Sequence, residues 1–153
     1  MKKRGSAKKH KQKKIAIVVS KFNSEITDGL LNSALQVLKE NNFSDKDIRV
    51  VTCPGAFEIT FLARKLCESK KYDAVICLGA VIKGQTAHFE FISYAVTHGI
   101  LQVNLECDIP VIFGVLTCYT EEQASKRSGN DENNKGAEAA RAAMEMIVLS
   151  NTI

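Results

Sequence analysis

The sequence predicts an α/β protein of three layers, a four-stranded parallel sheet with helices on both faces. Three observations predict it. Short continuous apolar runs alternate four times with segments whose apolar residues recur every three or four positions. Continuous runs suit strands buried on both faces, as parallel sheets require. Parallel neighbours need crossovers, and right-handed crossovers place helices on both sides of the sheet.

The first strand is read at 15–20, Ile-Ala-Ile-Val-Val-Ser, with no polar alternation. Residues 24–42 then form a helix, because Ile26, Leu30, Leu31, Ala34, Leu35 and Leu38 fall on one face; Ser24 is its expected N-cap. A second strand spans 48–53 and ends at Pro54-Gly55, and a helix over 56–69 buries Phe57, Phe61, Leu62 and Leu66. The third strand is read at 73–79, followed by a loop over 80–86 and a long helix over 87–105. The fourth covers 110–116, with Pro110 at its first position, where a missing N–H is tolerated. Helices over 120–127 and 136–149 close the chain, separated by a polar segment. This order is flavodoxin-like.

With 153 residues, 45% of them hydrophobic and 25% charged, the chain fits one domain, placed at 15–153. No apolar run is long enough for a membrane helix, and the N-terminus lacks a secretory h-region, so no membrane association and a cytoplasmic location are expected. Of 21 Lys and Arg residues, eight lie among the first 14 positions with no acidic residue between them. The remainder holds 13 basic against 17 acidic side chains, a formal charge of −4. Residues 1–14 are thus expected to be a disordered tail, suited to contact RNA or another polyanion, or equally to keep the chain in solution. Five cysteines without close pairing read as reduced, buried thiols, and three histidines make a protein-built zinc site improbable.

Ligands of open parallel sheets bind beyond the carboxyl ends of the strands. That rule gathers the segments after each strand: Phe22 after the first, Pro54 to Glu58 after the second, Gly79 to His88 after the third, and Gly114 to Tyr119 around the fourth. Phe22 is a stacking platform or a hydrophobic staple. Gly84 permits a tight turn, while Gln85 and Thr86 offer donors at a helix start, a setting that binds phosphate or is simply capped. His88 stands in position for proton transfer, or packs on the surface. Glu58 complements a helix dipole or accepts bonds from a polyol. Arg127 is a solvated cation or a phosphate clamp.

Taken together, these segments resemble the lumazine synthase family. The stretches that carry the resemblance are VSKFN at 19–23, PGAFEI at 54–59, LGAVIKGQTAHFE at 78–90, IPVIFGVLT at 109–117 and NKGAEAA at 134–140, in the family's order and spacing. The resemblance implies condensation of 5-amino-6-(D-ribitylamino)uracil with 3,4-dihydroxy-2-butanone 4-phosphate. The products are 6,7-dimethyl-8-ribityllumazine, phosphate and water, with no cofactor and no metal. It implies that Phe22 stacks on the pyrimidine and that Ala56, Phe57 and Glu58 meet the ribityl chain and ring. Ala80, Val81 and Ile82 would present backbone groups to the pyrimidine edge. Gln85, Thr86 and Arg127 would hold the phosphate, and His88 would transfer protons. Phe113 would enter from an adjacent subunit and Lys135 would line the same pocket. It further implies a homopentamer or larger assembly with sites between subunits, and riboflavin synthase as a partner.

Two departures stand out. The segment GNDENNKG at 129–136 places Asp131 where the family's usual lysine stands, lowering charge on the phosphate side. The Lys-rich N-terminus lacks the apolar period-two pattern of the strand with which many members begin.

Overall fold

The computed structural model describes residues 11–153. Four strands, β1 (Ile15–Ser20), β2 (Ile48–Cys53), β3 (Ala74–Ile82) and β4 (Val111–Cys118), form one sheet in the order β2-β1-β3-β4, every pairing parallel. Five α-helices cover it: α1 (Ser24–Glu40), α2 (Ile59–Glu68), α3 (His88–Glu106), α4 (Glu121–Ser128) and α5 (Lys135–Ser150). Alternate strand residues point to opposite faces, and two apolar cores result. Ile15, Ile17, Ile76 and Leu78 pack with α1, α4 and α5, while Ala16, Val18, Val75 and Cys77 pack with α2 and α3. The three-layer α/β/α arrangement is the predicted one.

β3 runs three residues further than its apolar run up to Gly79 predicts, pairing Ala80, Val81 and Ile82 with Leu116, Thr117 and Cys118 of β4. Gly79 does not end the strand. A Cβ there would press on Ile59 Cδ1 at 2.8 Å and Ser20 Oγ at 3.0 Å, so the glycine makes room for α2 to lie against the sheet. On the other face Gly136 admits the backbone of Leu30, bringing α5 directly onto α1.

Ser24 is the first residue of α1 and not its cap. The cap position belongs to Asn23, in the left-handed region at φ 60°, ψ 48°, which Asn tolerates better than most residues. Residues 56–58 form a single 3₁₀ turn before α2 begins at Ile59. Most of the N-terminal segment expected to be disordered lies outside the described residues. Its last positions are tied to the body, where Lys14 N–H donates to Asp73 Oδ2 at 2.8 Å and Gln12 Nε2 donates to the Asn42 carbonyl at 3.3 Å.

The outer face of α3 leaves Phe91, Tyr94, Leu101 and Leu105 exposed, beside Phe61 on α2; Phe57 and Phe61 are both exposed and not buried as their spacing predicts. Among the described residues no helix is long and apolar enough to cross a membrane.

Candidate active site

Three strand ends build one rim. The backbone N–H groups of Lys21 and Phe22 donate to the Cys53 and Pro54 carbonyls at 2.8 and 3.0 Å, joining the ends of β1 and β2. Asn23 Nδ2 donates to the Ala80 carbonyl at 3.0 Å, which joins β1 to β3. The chain therefore leaves β1 sharply, and Phe22 stands 71% exposed with its ring free of the core. At the end of β2, Gly55 N–H donates to Glu58 Oε2 at 2.9 Å, fixing the carboxylate at the mouth of the 3₁₀ turn. After β3, Lys83 N–H donates to the Cys118 carbonyl at 2.9 Å, and His88 N–H donates to Thr86 Oγ1 at 3.3 Å where α3 begins.

These segments enclose a cleft of about 570 Å³. Phe22, Phe57, Val81, Ile82, Phe89 and Ile92 supply apolar walls; Glu58, Thr86, His88 and Asn23 supply polar groups. Such a lining suits a ligand that is apolar over much of its surface and carries a few polar groups. Gly84 borders the cleft without a left-handed φ, and a Cβ there would meet nothing within 4 Å. The chain bends at Gln85 and Thr86 directly after it, with no left-handed residue in that bend.

Charge near the cleft is arranged by neighbours. Lys83 Nζ lies 2.8 Å from Glu90 Oε1 and 5.6 Å from the centre of the Tyr119 ring, while Tyr119 packs against Phe89 with centroids 5.8 Å apart. The hydrogen bond between Lys83 and Glu90 raises the ammonium pKa and lowers that of the carboxyl, so both stay ionised near neutrality. At the base of the rim, burial, reinforced by the charge of Glu58, pushes the Cys53 thiol up to about 11. It is a protonated packing group there, and no nucleophile at neutral pH.

A second groove, of about 410 Å³, runs along β4 between α4 and α5. Phe113, Thr117, Arg127, Lys135 and Glu138 line it. Phe113 is 43% exposed on a strand whose outer edge pairs with nothing in the described chain. Arg127 donates from Nη1 to the Gln123 carbonyl at 2.9 Å, and Lys135 Nζ meets both carboxylate oxygens of Glu138 at 2.8 and 2.9 Å.

The expected site residues thus fall into two groups. Phe22, Ala56, Phe57, Glu58, Ala80, Val81, Ile82, Thr86 and His88 share the first cleft, with Gln85 exposed on the loop beside it. Phe113, Arg127 and Lys135 share the second. A single cavity holding Phe22, Glu58, His88 and Arg127 is not formed within one chain, because Arg127 at the end of α4 borders the β4 edge. Asn23, Phe89 and Ile92 also line the cleft, and the sequence reading gave none of them a site role. Asn directly before a helix carried a signal for a left-handed turn; nothing in the sequence set Phe89 and Ile92 apart from the other apolar residues of their helix.

A family model for 6,7-dimethyl-8-ribityllumazine synthase matches residues 12–151 of the 153-residue chain, a span that takes in every strand, both grooves and all the segments of the rim. The chain belongs to the 6,7-dimethyl-8-ribityllumazine synthase family, transferases that form ribityllumazine in riboflavin biosynthesis.

Proposed function

We propose that the chain condenses 5-amino-6-(D-ribitylamino)uracil with 3,4-dihydroxy-2-butanone 4-phosphate, in sites completed between protomers. One observation carries this reading: the aromatic, acidic and imidazole groups line one cleft while the two cations and Phe113 line another at an unpaired sheet edge. The two lots of chemistry that the reaction needs meet only if the β4 edge of one protomer faces the cleft of the next.

In that arrangement Phe22 stacks on the pyrimidine from one side and Phe113 of the neighbouring protomer closes the other. Glu58 holds ribityl hydroxyls through Oε1, its Oε2 being engaged by Gly55, and Ala56 and Phe57 line the arm. Backbone groups of Ala80, Val81 and Ile82 face the pyrimidine edge. Gln85 and Thr86, on the loop before α3, receive the phosphate, with Arg127 and Lys135 neutralising it across the boundary. The substrate's 5-amino group attacks the ketone and water leaves to give a Schiff base; phosphate is eliminated, and the resulting enol becomes a carbonyl. The ribitylamino nitrogen then attacks that carbonyl and a second water leaves, closing the ring of the lumazine. His88 moves protons in these steps. Holding two reactants in attacking geometry supplies much of the acceleration.

The exposed Phe91, Tyr94, Leu101 and Leu105 of α3, with Phe61 of α2 beside them, support association, since grouped exposed apolar side chains call for a partner. The reading carries with it a homopentamer or a larger assembly, riboflavin synthase as the enzyme that takes the product, and a cytoplasmic setting suited to five free thiols.

The test is to mix the two substrates with the protein and follow lumazine fluorescence while measuring mass by light scattering. Lumazine formation by an assembly whose subunit number is a multiple of five is expected. A folded protein that makes no lumazine, or a monomer that makes it at full rate, overturns the proposal.

A further inference from the structure

At the opposite pole, beneath the N-terminal ends of the strands, lies a recess of about 530 Å³ with a different character. Three separate segments bring cations to it in pairs: Lys11 and Lys14 ahead of β1, Lys46 and Arg49 around the start of β2, and Lys70 and Lys71 ahead of β3. Half-buried Tyr72 lies among them. Three carboxylates also border the recess, and each is engaged. Asp47 accepts from Ser44 N–H and Oγ at 2.8 and 2.6 Å, Asp73 accepts from Lys14 N–H and pairs with Lys13, and Asp45 pairs with Lys39. None of the six cations has a carboxylate partner among the described residues.

This pole is positive on a body whose residues 15–153 carry a formal charge of −4. The cations are spread over the recess and all are exposed, so they do not converge on one small anion. A ligand bearing repeated phosphates suits them better. None of the large exposed apolar side chains lies in the recess, whereas a surface that enters a membrane interface needs such residues. Tyr72, half-buried against the core under α2 and α3, is the one aromatic among the residues that line the recess, and aromatic side chains are what bases stack on.

We infer that this recess binds the backbone of single-stranded RNA, with Lys46, Arg49, Lys70 and Lys71 as its main phosphate contacts. It is independent of the lumazine site, since the six residues of β1 alone separate the two poles by about 20 Å. Five further cations, Lys2, Lys3, Arg4, Lys8 and Lys9, precede Lys11 in the sequence.

Fluorescence anisotropy with the full chain and a labelled oligouridylate of about 20 nucleotides tests this at several salt concentrations. Substituting K46Q, R49Q, K70Q and K71Q together should weaken binding about tenfold or more at roughly 50 mM salt. The salt dependence should flatten as well, by about 0.7 in log–log slope for each phosphate that is no longer neutralised. Lumazine formation should be unchanged in that variant, which also reports its folding. A second variant with Lys2, Lys3, Arg4, Lys8 and Lys9 changed to Gln should lose less affinity than the first. Crosslinking of the unaltered protein to 4-thiouridine RNA should mark peptides around 45–49 and 70–73. The inference is overturned if the fourfold variant binds like the parent, if crosslinks fall only in residues 1–10, if inorganic phosphate displaces the RNA, or if phosphatidylserine vesicles bind and RNA does not.

Discussion

Asn134 donates from Nδ2 to the carbonyl of Gly29, 3.2 Å away and 105 positions earlier in the chain. The same nitrogen donates to the Gly129 carbonyl at 2.8 Å, and Oδ1 accepts from the N–H groups of Gly136 and Ala137 at 2.8 and 3.2 Å. One fully buried amide therefore joins α1, the end of α4 and the start of α5, and it sits between Arg127 and Lys135. Asn134→Ala removes a helix cap and takes away one hydrogen bond from each of two part-buried carbonyls, Gly29 and Gly129. The expected loss is about 3 kcal/mol in urea unfolding, with weaker use of the phosphorylated substrate. A loss below about 1 kcal/mol would mean that water or a shifted loop replaces the amide.

His88 is exposed at the first position of α3, so its removal should leave the fold alone and slow the chemistry. His88→Ala is expected to change unfolding stability by less than about 0.5 kcal/mol and to lower kcat roughly a hundredfold, with a flattened pH profile. Full activity in a folded His88→Ala protein would remove this residue from the proton-transfer role.

Much of the fold is legible because burial on both faces writes itself as uninterrupted apolar sequence. β1 is such a run; β2, a partly exposed edge strand with Arg49 and Thr52 in it, also falls at its predicted 48–53, and the helices lie within a few residues of their periodic patterns. β3 reads three residues short because Gly79 has two physical uses, and here it makes space under α2 instead of ending a strand. Ser24 reads as a cap because the hydroxyl is a common one, while Asn23 achieves the turn by adopting a left-handed backbone and bonding Ala80. Within the site, the rule of strand ends locates Phe22, Glu58 and His88 together. Arg127 lies beyond those segments, in α4, and joins them only through the family resemblance. No rule written for one chain says which side of an edge strand a residue will serve, so its separation from His88 is invisible in the sequence.

Alkaline pH should weaken the fold through Cys53. Its thiol titrates at about 11 in the folded chain against an ordinary value of 9.0. The folded state then holds a proton that the unfolded chain gives up, so this contribution is complete below pH 9 and disappears as pH rises through 11. About 2–3 kcal/mol should be lost across that window, and Cys53→Ala should show a shallower decline than the parent. Equal slopes in the two proteins would show that Cys53 ionises freely. Below about pH 8 the native thiol should resist iodoacetamide, since the thiolate is the reactive form.

Two glycines separate the demands of folding from those of ligand binding. A Cβ on Gly114 would meet Leu78 Cδ2 at 2.7 Å and the Cys77 carbonyl at 2.8 Å, so Gly114→Ala should destabilise by about 1–3 kcal/mol. A Cβ on Gly84 would meet nothing, and its backbone lies outside the left-handed region. Gly84→Ala should therefore leave the melting temperature unchanged while raising KM for the phosphorylated substrate, because the methyl group enters the space the phosphate needs. A Gly84→Ala enzyme with parental KM would place the phosphate elsewhere.

The division of the site between two grooves has a direct consequence for mixed assemblies. His88→Ala damages the cleft and Arg127→Ala damages the β4 edge, so each pure variant should be impaired at every site. When the two proteins are unfolded, mixed and refolded together, some sites receive an intact cleft from one protomer and an intact edge from its neighbour. In a random mixture roughly a quarter of the sites should be whole, restoring activity well above either parent. If cleft and edge of the same chain cooperated instead, every site would carry one defect whatever the mixing ratio. Activity that stays at the average of the two variants would then place Arg127 in the same protomer's site, and the β4 edge would have to reach its own cleft by a rearrangement of α4.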